Sequence, residues 1–246
     1  MKWFEEAFCH HYLEVYSHRT EEQAFAEIAF AHEHLHFAKD QIVLDLCCGA
    51  GRHAFALSPL VKSVVGFDLS SDLLNYATKE NLSKKCDNIF WQKGDMRNIN
   101  FLNSFDAVVC FFNSFGYFEN ENENNQVITN VYNALKPQGY LLIDLMNKPF
   151  IVKNLKEQTI KTINQYKIVE TRIISSDGLR VKKEVKIFES DTLIKDYLES
   201  VRMYNVEDIS GIIKKAGFKS LKIFGDLNNA PLTADSPRMI LIAQKP

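Results

Sequence analysis

The segment Val43-Leu44-Asp45-Leu46-Cys47-Cys48-Gly49-Ala50-Gly51-Arg52-His53 constrains this chain more than any other, because an apolar run leads into a Gly-x-Gly turn and then a helix. Residues 41–46 are apolar enough for a central strand covered on both faces. Gly49 and Gly51 permit a sharp turn with no Cβ between the main chain and a ligand. With Ala54 the loop also meets the loose dinucleotide pattern. Asp45, however, puts a carboxylate just before the loop, where it would repel a pyrophosphate and attract a cationic ligand. A second strand, residues 63–67, runs into Asp68 at about the spacing where an acid hydrogen-bonds ribose hydroxyls.

A third strand at 89–93 ends in Gly94-Asp95-Met96, which offers a carboxylate to an adenine amino group and a thioether to its ring. The fourth, 105–111, ends in Phe112-Asn113-Ser114-Phe115-Gly116-Tyr117-Phe118. Ligands of open α/β sheets bind outside the carboxyl ends of the strands, so these tips line one crevice. Together with residues 135–144, these motifs resemble a class I S-adenosylmethionine-dependent methyltransferase. Phe115-Gly116-Tyr117-Phe118 and Ala234-Asp235-Ser236-Pro237-Arg238-Met239 resemble, more narrowly, a bacterial small-molecule-type subgroup with a β insertion after the fifth strand.

The resemblance implies a seven-stranded, mostly parallel, doubly wound sheet of order 3-2-1-4-5-7-6, with S-adenosylmethionine as cofactor and S-adenosylhomocysteine as product. It implies that Asp45, Gly49 and Gly51 hold the methionine portion with backbone from Cys47 and Cys48, while Arg52 and His53 shape the pocket. Asp68 takes the ribose, Leu69 flanks the adenine, and Asp95 and Met96 hold the base. Phe111, Phe112 and Asn113 lie at the methionine end, and Tyr12 and Tyr16 resemble aromatics that cover the cofactor.

Residues 1–38 contain no Gly or Pro and read as one or two helices covering the cofactor site. Residues 39–149 and 205–246 read as the Rossmann-like core, with helices at 52–58, 70–84, 122–135 and 206–216 and strands at 140–145, 219–224 and 238–243. Lys136-Pro137-Gln138-Gly139 reads as a turn. Between them, 150–204 reads as an antiparallel insertion of three runs, 162–175, 179–189 and 193–204, with Asp177-Gly178 as a hairpin signal. This sheet is expected on the substrate side, as a lid or as the contact of a homodimer; the chain is expected to be a monomer or homodimer.

A net charge of -2 and the lack of a basic arm argue against nucleic acid. No long apolar run suggests a membrane span, and five cysteines without a Cys-x-x-Cys pair suggest neither a disulfide framework nor a metal, so a reducing cytoplasm is expected. Asn113-Ser114 stands where enzymes acting on nucleobase amines carry an Asn-Pro-Pro-Tyr type motif, so a small-molecule N or O acceptor is expected. A carboxylate or thiolate acceptor needs no base, whereas an amine or phenol must lose a proton, for which Tyr117, His10 and His11 are candidates by residue type and Tyr117 the best placed. Arg202 and Arg238 are candidates to bind an anionic substrate, or equally to pair with a nearby acid. Two other readings are a non-catalytic S-adenosylmethionine-binding protein and a nicotinamide-dependent oxidoreductase; the latter fits poorly with Asp45 and has no use for Gly94-Asp95-Met96.

Overall fold

In a computed structural model, residues 2–8, 11–16 and 18–246 are described; Cys9 and His10 lie outside them. Three helices, α1 (Trp3–Ala7), α2 (His11–Val15) and α3 (Glu21–Leu35), precede the first strand, one more than the pattern suggested. A reciprocal cap starts α3, in which Thr20 Oγ accepts from Gln23 N and Thr20 N donates to Gln23 Oε1. Strands and helices then alternate as β1 (Ile42–Leu46), α4 (Arg52–Leu57), β2 (Ser63–Asp68), α5 (Ser71–Lys84), β3 (Ile89–Lys93), β4 (Phe105–Cys110), α6 (Glu121–Ala134) and β5 (Leu135–Met146). After α7 (Lys148–Asn154) come β6 (Gln158–Ile163), β7 (Tyr166–Ile174), β8 (Arg180–Glu189) and β9 (Thr192–Arg202). The chain closes with α8 (Val206–Lys215), β10 (Lys219–Phe224) and β11 (Arg238–Gln244).

The seven-stranded sheet has the order β10-β11-β5-β4-β1-β2-β3, with β11 antiparallel to both neighbours. This is the expected doubly wound arrangement. Its centre explains the apolar run of β1: Val43, Leu44 and Leu46 are each at most 2% exposed. Val43 packs toward α3 and α4, whereas Leu44 and Leu46 pack toward α6 and α8. Each such side chain contributes about 1.5–3 kcal/mol of burial free energy.

A separate four-stranded antiparallel sheet, β6-β7-β8-β9, follows β5. It has four strands where three runs are read, because β6 lies mostly ahead of the first run, and Asn164, in a left-handed conformation (φ 54), turns it back onto β7. One helix is absent from the sequence reading, and one turn reading is corrected. Pro149 opens α7, since proline is tolerated in a first helical turn where its missing N–H costs nothing. Residues 136–139 lie within β5 as an irregularity: Gln138 is left-handed (φ 66), and its N–H donates to the Lys245 carbonyl at 2.9 Å.

One face of the second sheet, through Ile168, Val185, Ile187 and Tyr197, packs on Ala7 and Val15. Helices α1 and α2 are thus held between this sheet and the strand tips of the larger one. No helix among the described residues is long and apolar enough to cross a membrane.

Candidate functional site

Three left-handed residues in five, Cys47, Gly49 and Gly51, turn the chain from β1 into α4. Trp91, reaching over from β3, fixes where glycine is required: a Cβ on Gly51 or Gly66 would run into its ring. Asp68, at the tip of β2, pins the turn. One of its oxygens accepts from Gly49 N and the other from Ser70 N, both at 2.8 Å. Burial raises the Asp68 carboxyl, and these N–H groups offset part of that rise. Each oxygen keeps a second lone pair for a ligand.

Two connecting cavities follow the strand tips. The first, about 590 Å³ up to its mouth, is lined by Phe8, Tyr12, Asp68, Leu69, Asp95, Met96 and Tyr117. Asp95 is the cap of a short 3-10 turn and is paired with Arg97, whose Nε lies 3.0 Å from both carboxylate oxygens. The second cavity is lined by Tyr12, Arg19, Asp45, Gly49, Arg52, Phe111 and Phe112.

The second cavity holds the uncompensated charge. Asp45 is 1% exposed, its Oδ2 has no hydrogen-bond partner among the described residues, and burial pushes its carboxyl up to about 6 against the pull of His53. Arg19 and Arg52 have no carboxylate partner among the described residues; Arg19 donates to the Tyr12 hydroxyl at 2.7 Å and Arg52 to the Thr20 carbonyl at 2.9 Å. The Arg19 guanidinium lies 3.4 Å from the Phe112 ring centroid, with its Nε buried and unpartnered. Buried polar atoms without partners are rare, and these are of opposite sign. The donor set therefore suits an amino-acid end, with ammonium toward Asp45 and carboxylate toward the guanidiniums, joined to a nucleoside lying by Asp68 and Asp95. A family model described as a methyltransferase domain matches residues 43–139, which span the loop and these strand tips.

The chain carries a class I S-adenosylmethionine-dependent methyltransferase domain.

It is 28% identical over 208 residues to the putative methyltransferase YqeM of Bacillus subtilis (strain 168), covering 82% of this chain and 83% of that protein. It is 22% identical over 206 residues to the cypemycin N-terminal methyltransferase of Streptomyces sp, covering 82% of each. Its fold matches the crystal structure of an S-adenosylmethionine-dependent methyltransferase from Clostridium acetobutylicum ATCC 824, with a TM-score of 0.82, 20% identity and 96% of both chains covered.

In this methyltransferase the tip of β4 is strained, since Phe112 (φ 67) and Asn113 (φ 56) are consecutive non-glycine residues in the left-handed region. Asp144 of β5 holds it there: Phe112 N donates to the Asp144 carboxylate and Asn113 N to its carbonyl, both at 3.0 Å. Arg238 grips the same carboxylate through two nitrogens, at 2.9 and 2.7 Å, and reaches Glu27 at 2.9 Å. Glu27 in turn meets His53 at 2.6 Å. Arg238 is therefore committed to a mostly buried chain of charges from α3 to β4 and lines neither the cleft nor the cavity beyond it. This corrects its reading as a substrate ligand, and His53 belongs to the same chain. Arg202 is corrected likewise: its Nε lies 2.9 Å from Glu121 Oε2, outside these cavities.

Beyond Tyr12, a third cavity of about 870 Å³ opens between the methyltransferase core and the second sheet. Tyr117 borders the first and third cavities, its ring 4.9 Å from that of Trp3. Burial pushes its phenol well above the usual range, so it is protonated at neutral pH. Asn113 lines the third cavity, and its Oδ1 is buried without a partner among the described residues. Tyr16, Arg19, Arg172, Lys183 and Glu199 complete the polar lining. Apart from Tyr16, none of these five was singled out in the sequence. Only Arg19 left a signal there, because Thr20-Glu21-Glu22-Gln23 announces a helix start and sets Arg19 at its mouth.

Proposed function

We propose that the enzyme transfers the methyl group to a nitrogen of a small molecule held in the third cavity. The observation that carries this reading is Asn113, whose buried, unpartnered Oδ1 calls for a hydrogen-bond donor at the edge of the cofactor cleft. An acceptor N–H meets that need. The cypemycin enzyme is named for N-terminal methylation, which supports nitrogen over oxygen.

When bound, S-adenosylmethionine supplies a methyl group already activated by its sulfonium. The chain's own groups then have three tasks. Asp45, Arg19 and Arg52 hold the amino-acid end, while Asp68, Leu69, Asp95 and Met96 hold the nucleoside. Asn113 orients the acceptor nitrogen, taken up as the free amine with its ammonium proton already given to solvent, for in-line attack, and the resulting alkylammonium carries its positive charge out on release. Phe8, Tyr12 and Tyr117 exclude water, and Tyr117, kept neutral, serves as a hydrogen-bonding wall and not as a base.

Calorimetric titration with S-adenosylmethionine, S-adenosylhomocysteine and NAD in parallel tests the cofactor side, with binding of the first two and none of NAD expected. An acceptor screen that follows S-adenosylhomocysteine release tests the transfer. Binding without turnover on any amine would favour a non-catalytic binding protein.

A further inference from the structure

The second sheet brings more positive charge to the third cavity than its acids neutralise. Arg172 on β7 and Lys183 on β8 line the cavity together with Arg19, and Lys161 on β6 stands beside them. Their acids are Glu170 and Glu199. Glu170 is shared, at 2.6 Å from Arg172, 3.6 Å from Lys161 and 3.9 Å from Lys183. Glu199 takes Lys183 at 2.8 Å and accepts from the Tyr16 hydroxyl at 2.9 Å. Three cations thus divide two carboxylates, and the fourth, Arg19, has neither. Even with Arg19 assigned to the cofactor, a positive charge is left over.

The neighbouring groups register this imbalance. Burial alone would raise the Glu170 carboxyl, yet Lys183, Lys161 and Arg172 together hold it below its usual range. Burial lowers His18, and Lys161 and Arg19 lower it further. Partly buried cations in excess of their counterions are costly unless a ligand supplies the missing charge. Arg172 can receive one, because it gives one N–H to Thr159 and one to Glu170 and leaves the rest of its fork unused.

We propose that the methyl acceptor is a small anion, with a carboxylate or phosphate bound by Arg172 beside Lys183 and an N–H directed to Asn113. This rests on the nitrogen-transfer reading above. An acceptor bearing only an ammonium would add to the surplus charge.

Matched pairs test it: 4-(aminomethyl)benzoate against its amide, and O-phosphoethanolamine against ethanolamine, each assayed for methylation by the intact protein. The charged member of at least one pair is expected to exceed its neutral partner by about tenfold or more in kcat/KM, and the better pair distinguishes carboxylate from phosphate. Arg172→Gln should remove most of the preference with S-adenosylhomocysteine affinity retained; Lys183→Met should erode it in the same direction and serves if the first variant melts early. Equal or reversed preference, a preference surviving both variants, or no turnover and no saturation-transfer contact of any charged member with the S-adenosylhomocysteine-loaded protein overturns the proposal. Failure of the wild-type protein to bind S-adenosylhomocysteine would instead overturn the cofactor reading, and this one with it.

Discussion

The cleft at the strand tips and the inner face of the second sheet treat charge in opposite ways. In the cleft, among the described residues, Asp45 has a bare oxygen and Arg19 and Arg52 have no acid. On the second sheet, Glu170, Arg172, Lys183 and Glu199 are cross-paired, and only the total is unbalanced. The first arrangement is organised for one particular ligand and strained without it. The second holds its shape alone and leaves a diffuse bias. A ligand common to a whole family suits the former, and an acceptor that varies among relatives suits the latter.

The sharpest way to break this contrast is to remove the shared acid. Glu170→Gln leaves Lys161, Arg172 and Lys183 facing one another and is expected to cost about 3 kcal/mol of stability, read by urea unfolding. A loss below the error of that measurement would mean that the cluster is not a closed unit.

The cleft predicts the reverse pattern. Asp45→Asn should weaken S-adenosylhomocysteine binding by roughly a hundredfold with no loss of stability at neutral pH. The sign follows from its raised carboxyl: the free protein keeps a proton on Asp45 up to about pH 6, whereas the unfolded chain loses it near 3.8, so ionisation in this range costs the wild type stability that Asn does not lose. For the same reason the wild-type affinity should fall by about tenfold per pH unit below pH 6, because an ammonium ligand needs the ionised carboxylate and binding expels the proton. Flat affinity between pH 5 and 7, on the order of the window set by this titration, would remove Asp45 from the ammonium site.

The smallest effect belongs to Arg202. Its pair with Glu121 is partly exposed, so Arg202→Ala should change stability by about 0–1 kcal/mol in thermal melts and leave acceptor KM unaltered.

Much of the cleft is legible in the chain because its determinants are local. Asp45, Asp68 and Asp95 each sit within two residues of the end of a strand that the sequence delimits, and a parallel sheet brings such ends together whatever the loops do. The second sheet was legible only as β-type runs. Its break at Asn164 depends on one left-handed residue, and nothing nearby marks Asn164-Gln165 as a turn as Asp177-Gly178 is marked. The arginines were the hardest to assign. Arg238, Arg202 and Arg19 look alike in sequence, and what separates a structural tie from an open cation is a carboxylate more than 75 residues away, which no local pattern encodes.

Tyr12 borders all three cavities, and its own helix α2 and the preceding α1 rest against the second sheet. A partition common to three rooms cannot be shifted for one of them alone. Any shift of that one ring therefore reshapes the cleft and the chamber beyond it together, so a change in volume at Tyr12 is felt on both sides of the wall at once.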